Sequence, residues 1–225
     1  APFDPSLTAA TEVLSFPRQL VGREVAQQQL FAAWEQASRG QARFILLQGE
    51  PGIGKTHLLY SLQQRVQLAG AHFLYAHTLP PEAAPPYHAW VQVLRKFLRF
   101  LLGEQQAELD WWQHKLRHAL RGQGDLLLSL FPELKALLPP PSKPLSAYLL
   151  PSEREHRLKH ALTAMVEAMA HTQHPLLIAI DDLAQLDPAS QGLLAFLGTR
   201  WSHLPILFIG TLEQEGTASP ALLPA

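Results

Sequence analysis

Gly49-Glu50-Pro51-Gly52-Ile53-Gly54-Lys55-Thr56 satisfies the pattern G-x-x-x-x-G-K-[ST] at every fixed position. Before it runs Phe44-Ile45-Leu46-Leu47, an apolar stretch that reads as a buried strand. After it Leu58, Leu59, Leu62 and Val66 recur at helical spacing, so a helix opens where the glycine-rich turn ends. In that context the pattern builds an anion cradle. Gly49, Gly52 and Gly54 let the backbone curl so that successive N–H groups point inward, and the helix adds the positive end of its dipole. Lys55 supplies a point charge for β- and γ-phosphates, and the Thr56 hydroxyl can ligate magnesium. With Glu50, Pro51, Ile53 and the following His57, the loop is expected to bind a nucleoside triphosphate, with ATP or ADP and Mg2+ as cofactors and Lys55 also catalytic.

Composition narrows the rest. At 225 residues the chain suits one large α/β domain carrying a helical insert. Hydrophobic residues make up 47%, enough for a core. Charged residues make up only 16%, which fits surfaces normally covered by other domains. A net charge of −1 offers no polyanion-binding surface, so no direct nucleic-acid contact is expected from this segment. The absence of cysteine excludes disulfides and thiolate metal sites and is compatible with a cytoplasmic location. No apolar run approaches the roughly 20 residues of a membrane span, and no signal-peptide pattern opens the chain, so no membrane association is expected.

Residues 1–17 lack a sustained period and read as a surface lead-in; the domain proper is expected over 18–225. A helix carrying Leu30, Phe31 and Trp34 precedes the phosphate-loop strand, and a second strand is expected at 72–77. Then the alternation stops. Tyr87–Leu102 and 104–121 carry apolar residues at helical spacing, short helical pieces follow at 125–138, and prolines crowd 139–151. Ser152 and Glu155 are spaced as a capping box for a helix containing Leu158, Leu162 and Met165. The stretch at about 81–151 is therefore a helical insertion. Leu176-Leu177-Ile178-Ala179-Ile180 is apolar throughout, as a parallel strand buried on both faces should be. A helix follows Asp187-Pro188, then a last strand at 206–211 and a polar, poorly patterned tail.

The strand at 176–180 ends in Asp181-Asp182. A strand end beside the phosphate-loop strand would bring Asp181 to a magnesium ion held by Thr56. Asp182 would then stand where a general base polarises the attacking water. The alternative is a carboxylate pair at a helix start, where the dipole favours acids.

These stretches together resemble P-loop ATPases of the signal-transduction (STAND) type within the additional-strand class, most nearly the ATPase module of large bacterial transcriptional regulators of the MalT and LuxR kinds. The resemblance rests on Leu20-Val21-Gly22-Arg23-Glu24, on GEPGIGKT and on LLIAIDDLAQLDPAS, where Gln185-Leu186 replace the family's Trp-Ala pair. Pro86-Tyr87 opening an insert helix is a further likeness. It implies a three-layer α/β P-loop fold with a mostly parallel sheet. It also implies that Val21 and Gly22 lie near the adenine and Arg23 near the phosphates, although an exposed arginine at a helix start fits Arg23 equally. Thr211-Leu212-Glu213 departs from the family's Thr-x-Arg, so a carboxylate stands in place of the γ-phosphate-sensing arginine. Downstream domains of a longer chain are the implied partners, with nucleotide-dependent self-association a further one.

Three functions remain open on these residues. An ATP-hydrolysing switch is favoured by Lys55, Thr56, Asp181 and Asp182, and a non-hydrolysing nucleotide-binding module by Glu213. A replication initiator or loader shares only the Gly-Arg-Glu start. ATP is preferred over GTP because no guanine-reading Asn-Lys-x-Asp occurs. The pairs His114/His118 and His156/His160 share helix faces but lack a third ligand at metal-site spacing, and Arg95-Lys96-Arg99 reads as a solvated face.

Overall fold

The computed structural model describes residues 24–138, 149–171, 173–213 and 221–224. The lead-in, most of the proline-rich linker and the motif residues Val21, Gly22 and Arg23 lie outside them. Chain order is α1 (Glu24–Ser38), β1 (Arg43–Gly49), α2 (Lys55–Leu68), β2 (His72–His77) and then the insertion: α3 (His88–Leu101), α4 (Gln106–Leu120), α5 (Gly124–Leu127) and α6 (Leu134–Leu137). The return runs through α7 (Pro151–Met169), β3 (Leu176–Asp181), a 3-10 turn (Leu183–Gln185), α8 (Pro188–Gly198), β4 (Ile206–Glu213) and β5 (Ala221–Pro224).

The sheet order is β2-β3-β4-β1-β5. The first three neighbouring pairs are parallel, and only β5 runs antiparallel, against β1. Strand β3 is apolar at every position before Asp181 because both of its faces are covered. Leu177 and Ala179 join α1 and α2 in one core, whereas Leu176, Ile178 and Ile180 join the insertion, α7 and α8 in the other. This is the expected α/β three-layer arrangement. No helix among the described residues is long and apolar enough to cross a membrane.

Several expectations need correction. The tail contains β5, which the reading of a polar, unpatterned end had missed; four residues ending in proline are too few for periodicity to register. Helix α7 begins one residue before Ser152, with proline at its first position and Leu150 as N-cap. The Glu153 carboxylate accepts from the Leu150 N–H at 3.3 Å. Leucine has no side-chain acceptor, so only half of a capping box forms, and Ser152-Glu155 is not the box. Arg95, Lys96 and Arg99 lie on the polar side of α3 with Lys96 and Arg99 exposed, but each also holds a partner. Arg95 donates to the Leu130 carbonyl at 2.7 Å and pairs with Glu133 at 3.2 Å. Arg99 lies 3.6 Å from the same carboxylate, and Lys96 donates to the Tyr75 carbonyl at 2.5 Å. The three cations tie α3 to the rest of the insertion and to the edge of the sheet.

One buried carboxylate holds the insertion against the sheet. Asp187 Oδ1 accepts from the Ser190 N–H at 2.9 Å, capping α8, and from the Tyr87 N–H at 3.0 Å. Tyr87 takes a left-handed conformation, φ 63°, just before α3. The Trp90 indole then donates to the Ser190 carbonyl at 3.2 Å, so the two helix starts are stitched twice. Asp187→Ala removes a cap and strands a buried N–H. We expect a loss of about 2–4 kcal/mol in chemical denaturation, with Asp187→Asn costing about half as much.

His72 packs edge-on to Phe97 and Phe100, each at a centroid distance of 5.0 Å. Burial, and secondarily the neighbouring His174 ring, lower its pKa from 6.5 to about 4. Between those two values the unfolded chain binds a proton that the folded chain refuses, so stability falls as pH drops from 6.5 toward 4. The difference in denaturation midpoint between His72→Phe and the unsubstituted protein should therefore shift in favour of the variant on going from pH 7.5 to pH 5.

Candidate functional site

The glycine-rich turn lies between β1 and α2. Gly52 and Gly54 have φ values of 73° and 91°, a region closed to most side chains, and Gly54 serves as the N-cap of α2. Gly49 is the buried last residue of β1, Glu50, Pro51 and Gly52 are exposed, and Ile53 and His57 are half-buried. Lys55 is buried to 7% exposure, and its ammonium donates to the carbonyls of Gly49 and Glu50, both at 2.9 Å. An ammonium has three donors. Two thus hold the turn, and the third is left for an oxyanion.

Asp181 ends β3, but β3 is not the neighbour of β1. Strand β4 lies between them, which corrects the expectation of adjacency. The apolar runs 176–180 and 206–209 carry no periodic mark of which one sits beside β1, since either fits a doubly covered position. The intervening strand contributes Thr211, buried at 1% exposure, whose hydroxyl donates to Asp181 Oδ1 at 2.5 Å. Thr56 donates to Asp181 Oδ2 at 3.0 Å, bringing the first residues of α2 and the end of β3 together. Tyr75 from β2 donates to the same oxygen at 2.7 Å. Burial and this hydrogen bond push the Tyr75 phenol above the ordinary tyrosine range.

Asp182 follows in a left-handed conformation, φ 64°, unusual for a residue with a side chain. Its N–H donates to Thr211 Oγ1 at 2.8 Å. The Thr78 hydroxyl lies 2.7 Å from its carbonyl and 3.0 Å from that of Asp181. Asp182 lines a cleft of about 200 Å³ together with Gly52, Gly54, Lys55, Thr56 and Asp181. His77, Thr211 and Glu213 complete the lining.

The residues fit a nucleotide with magnesium. A hydroxyl and a carboxylate oxygen 3.0 Å apart are hard donors of the kind that magnesium takes, and a turn with a buried lysine at its base is a phosphate cradle. Sequence reading brought together Lys55, Thr56, Asp181 and Asp182, and the fold does place them around one cleft. It missed Tyr75 and Thr78. The available signal was Tyr75, His77 and Thr78, polar residues at the carboxyl end of a strand, where α/β sheets carry their sites. The His156 and His160 Nε2 atoms lie 3.1 Å apart, but among the described residues no cluster of three or more candidate metal ligands forms.

A family model described as the AAA ATPase domain matches residues 19–209. The chain belongs to that family. Among curated relatives, this AAA ATPase domain is 24% identical over 191 residues to hybrid signal transduction histidine kinase G of Dictyostelium discoideum. It is 22% identical over 204 residues to an uncharacterized protein of Rhizobium meliloti strain 1021. The matches cover 84% and 85% of this chain but only 5% and 18% of those relatives. Among solved structures it resembles Cdc6p from Pyrobaculum aerophilum, with a TM-score of 0.50 and 18% identity over 90% of this chain and 42% of that one. That likeness shows the shared fold.

Gly210 supports the Asp182 turn from below. A Cβ there would overlap Leu183 Cδ1 and stand 2.7 Å from its Cγ. Gly210→Ala must therefore lift the 3-10 turn that follows Asp182. Overpacking of this kind should cost about 1–3 kcal/mol, read as a lower denaturation midpoint.

Proposed function

We propose that this domain is the ATP-operated switch module of a signalling or transcription-regulating protein, of the kind found in MalT- and LuxR-like regulators, acting in the cytoplasm. The observation that carries the reading is the meeting of the Thr56 hydroxyl and the Asp181 carboxylate, 3.0 Å apart, beside the lysine-based phosphate turn. Similarity to a signal transduction histidine kinase supports a signalling context. The Cdc6p likeness is one of fold and does not favour a replication role.

In this reading the N–H groups of residues 49–56 and the Lys55 ammonium bind the β- and γ-phosphates. Thr56 and Asp181 would hold magnesium, which supplies charge neutralisation at the phosphates. Asp182, a residue of the cleft lining, takes a proton from the attacking water. By the family resemblance, Val21 and Gly22 would serve the adenine and Arg23 the phosphates. Binding would order the turn and the end of β3 together, a change that domains elsewhere in a longer chain, or a second copy, can read.

A second reading has its own support. Glu213 on the cleft wall is a carboxylate where a cation would stabilise the charge of phosphoryl transfer. On that reading the domain binds nucleotide and hydrolyses none.

Calorimetry and phosphate-release assays separate the two. Lys55→Ala should weaken ATP binding about tenfold or more, the scale of a lost charge-assisted contact. Asp182→Asn should keep binding and lose turnover. Tight binding by the unsubstituted protein with no phosphate released would leave the non-hydrolysing module, and unchanged affinity in Lys55→Ala would remove the site assignment altogether.

A further inference from the structure

Tyr75 lies on β2, the edge strand of the sheet, yet its hydroxyl reaches inward to the end of β3. It donates to Asp181 Oδ2 at 2.7 Å, the oxygen that also accepts from Thr56 at 3.0 Å. Thr211 donates to the other oxygen. A carboxylate at a strand end can turn about two side-chain bonds. Donors on both oxygens, from β2 on one side and β4 on the other, fix its plane. Outer partners of this kind orient a ligand and set the affinity of a metal site without touching the metal.

Tyr75 is itself held from behind. Lys96 of α3 donates to its carbonyl and lies 5.4 Å over its ring. One turn earlier on the same helix, Gln92 donates to the His77 carbonyl at 2.9 Å. The insertion helix thus grips the edge strand at the two residues that flank Ala76, and the position of the phenol follows from that grip. Tyr60 of α2 packs against the ring at 5.8 Å, closing the remaining side.

We propose that Tyr75 is a positioning residue for the Asp181 carboxylate, fixing it in the orientation that receives magnesium and so setting how much magnesium the site needs to retain nucleotide. The inference rests on the nucleotide reading above. It assigns to the insertion, through Lys96, Gln92 and Tyr75, a structural line to the metal side of the cleft.

The test is ATP binding by calorimetry over a series of Mg2+ concentrations, with Mn2+ binding followed directly by electron paramagnetic resonance. Tyr75→Phe keeps the ring and removes the donor. The Mg2+ concentration giving half of the full affinity should rise about tenfold, and Mn2+ should bind correspondingly more weakly, while nucleotide affinity in EDTA stays the same. In an Asp181→Asn background the same change should move the midpoint no further, because the coupling is between these two residues. A midpoint that does not move, with only a lower melting temperature, would make Tyr75 a packing residue and overturn the inference while leaving the nucleotide reading intact. Failure of the unsubstituted protein to bind nucleotide at any Mg2+ concentration would overturn both.

Discussion

The Asp181 carboxylate is the point on which the rest of the architecture closes. It is only 14% exposed, and a charge so placed is costly unless donors replace the water it has lost. Those donors come from three elements far apart in sequence: Thr56 on α2, Tyr75 on β2 and Thr211 on β4. Each is in reach only if the sheet has the order β2-β3-β4-β1 and the register that pairs His77 with Asp181. A slip of one residue in any strand would turn a donor to the opposite face and leave the charge uncompensated. Site and sheet therefore specify one another.

Asp187, six residues downstream, does for the insertion what Asp181 does for the site. Its buried oxygen caps α8 and takes the Tyr87 N–H, so the long excursion from β2 returns against the helix that follows the metal-side strand. Gly210 belongs to the same stretch of structure: its missing side chain is what lets the Leu183 side chain, next after Asp182, lie on β4. Three short-range requirements, a capped helix, a left-handed aspartate and a bare patch of strand, thus fall between residues 181 and 210.

Much of this was legible because the physics involved is local. A glycine pattern between an apolar strand and a helix declares a phosphate turn whatever surrounds it. The boundaries of α3 and α4 followed closely from period alone, because each buries a single well-marked face. Strand order was not legible, since β3 and β4 are apolar on both faces and nothing in them says which lies beside β1. The roles of Tyr75 and of the Arg95-Lys96-Arg99 group were hidden for a related reason. A tyrosine in a strand or a cation on a helix has the same pattern whether it meets water or a carbonyl, and only the tertiary contact distinguishes them. Strand β5 escaped because its pairing with β1, not its own four residues, makes it a strand.

The charge balance of the cleft bears on what the domain can do. Among the described residues lining it, Asp181, Asp182 and Glu213 oppose Lys55, with His77 cationic only when protonated. Lys55 already spends two of its donors on the turn. A triphosphate brought into such a space meets more negative than positive charge, so binding must be carried by backbone N–H groups, the α2 dipole and cations that come with the nucleotide. If Asp181 holds the metal as proposed, anything that loosens its carboxylate would weaken the whole site rather than one contact. On the proposed reading the same balance would leave the γ-phosphate the least compensated part of the ligand, because Glu213 is among the residues lining the cleft. On that reading, retention of nucleotide and speed of hydrolysis would be set by different residues. Thr56, Asp181 and the groups that orient them would govern the first, and the carboxylate pair Asp182 and Glu213 the second, one as the base and the other as its opposing charge.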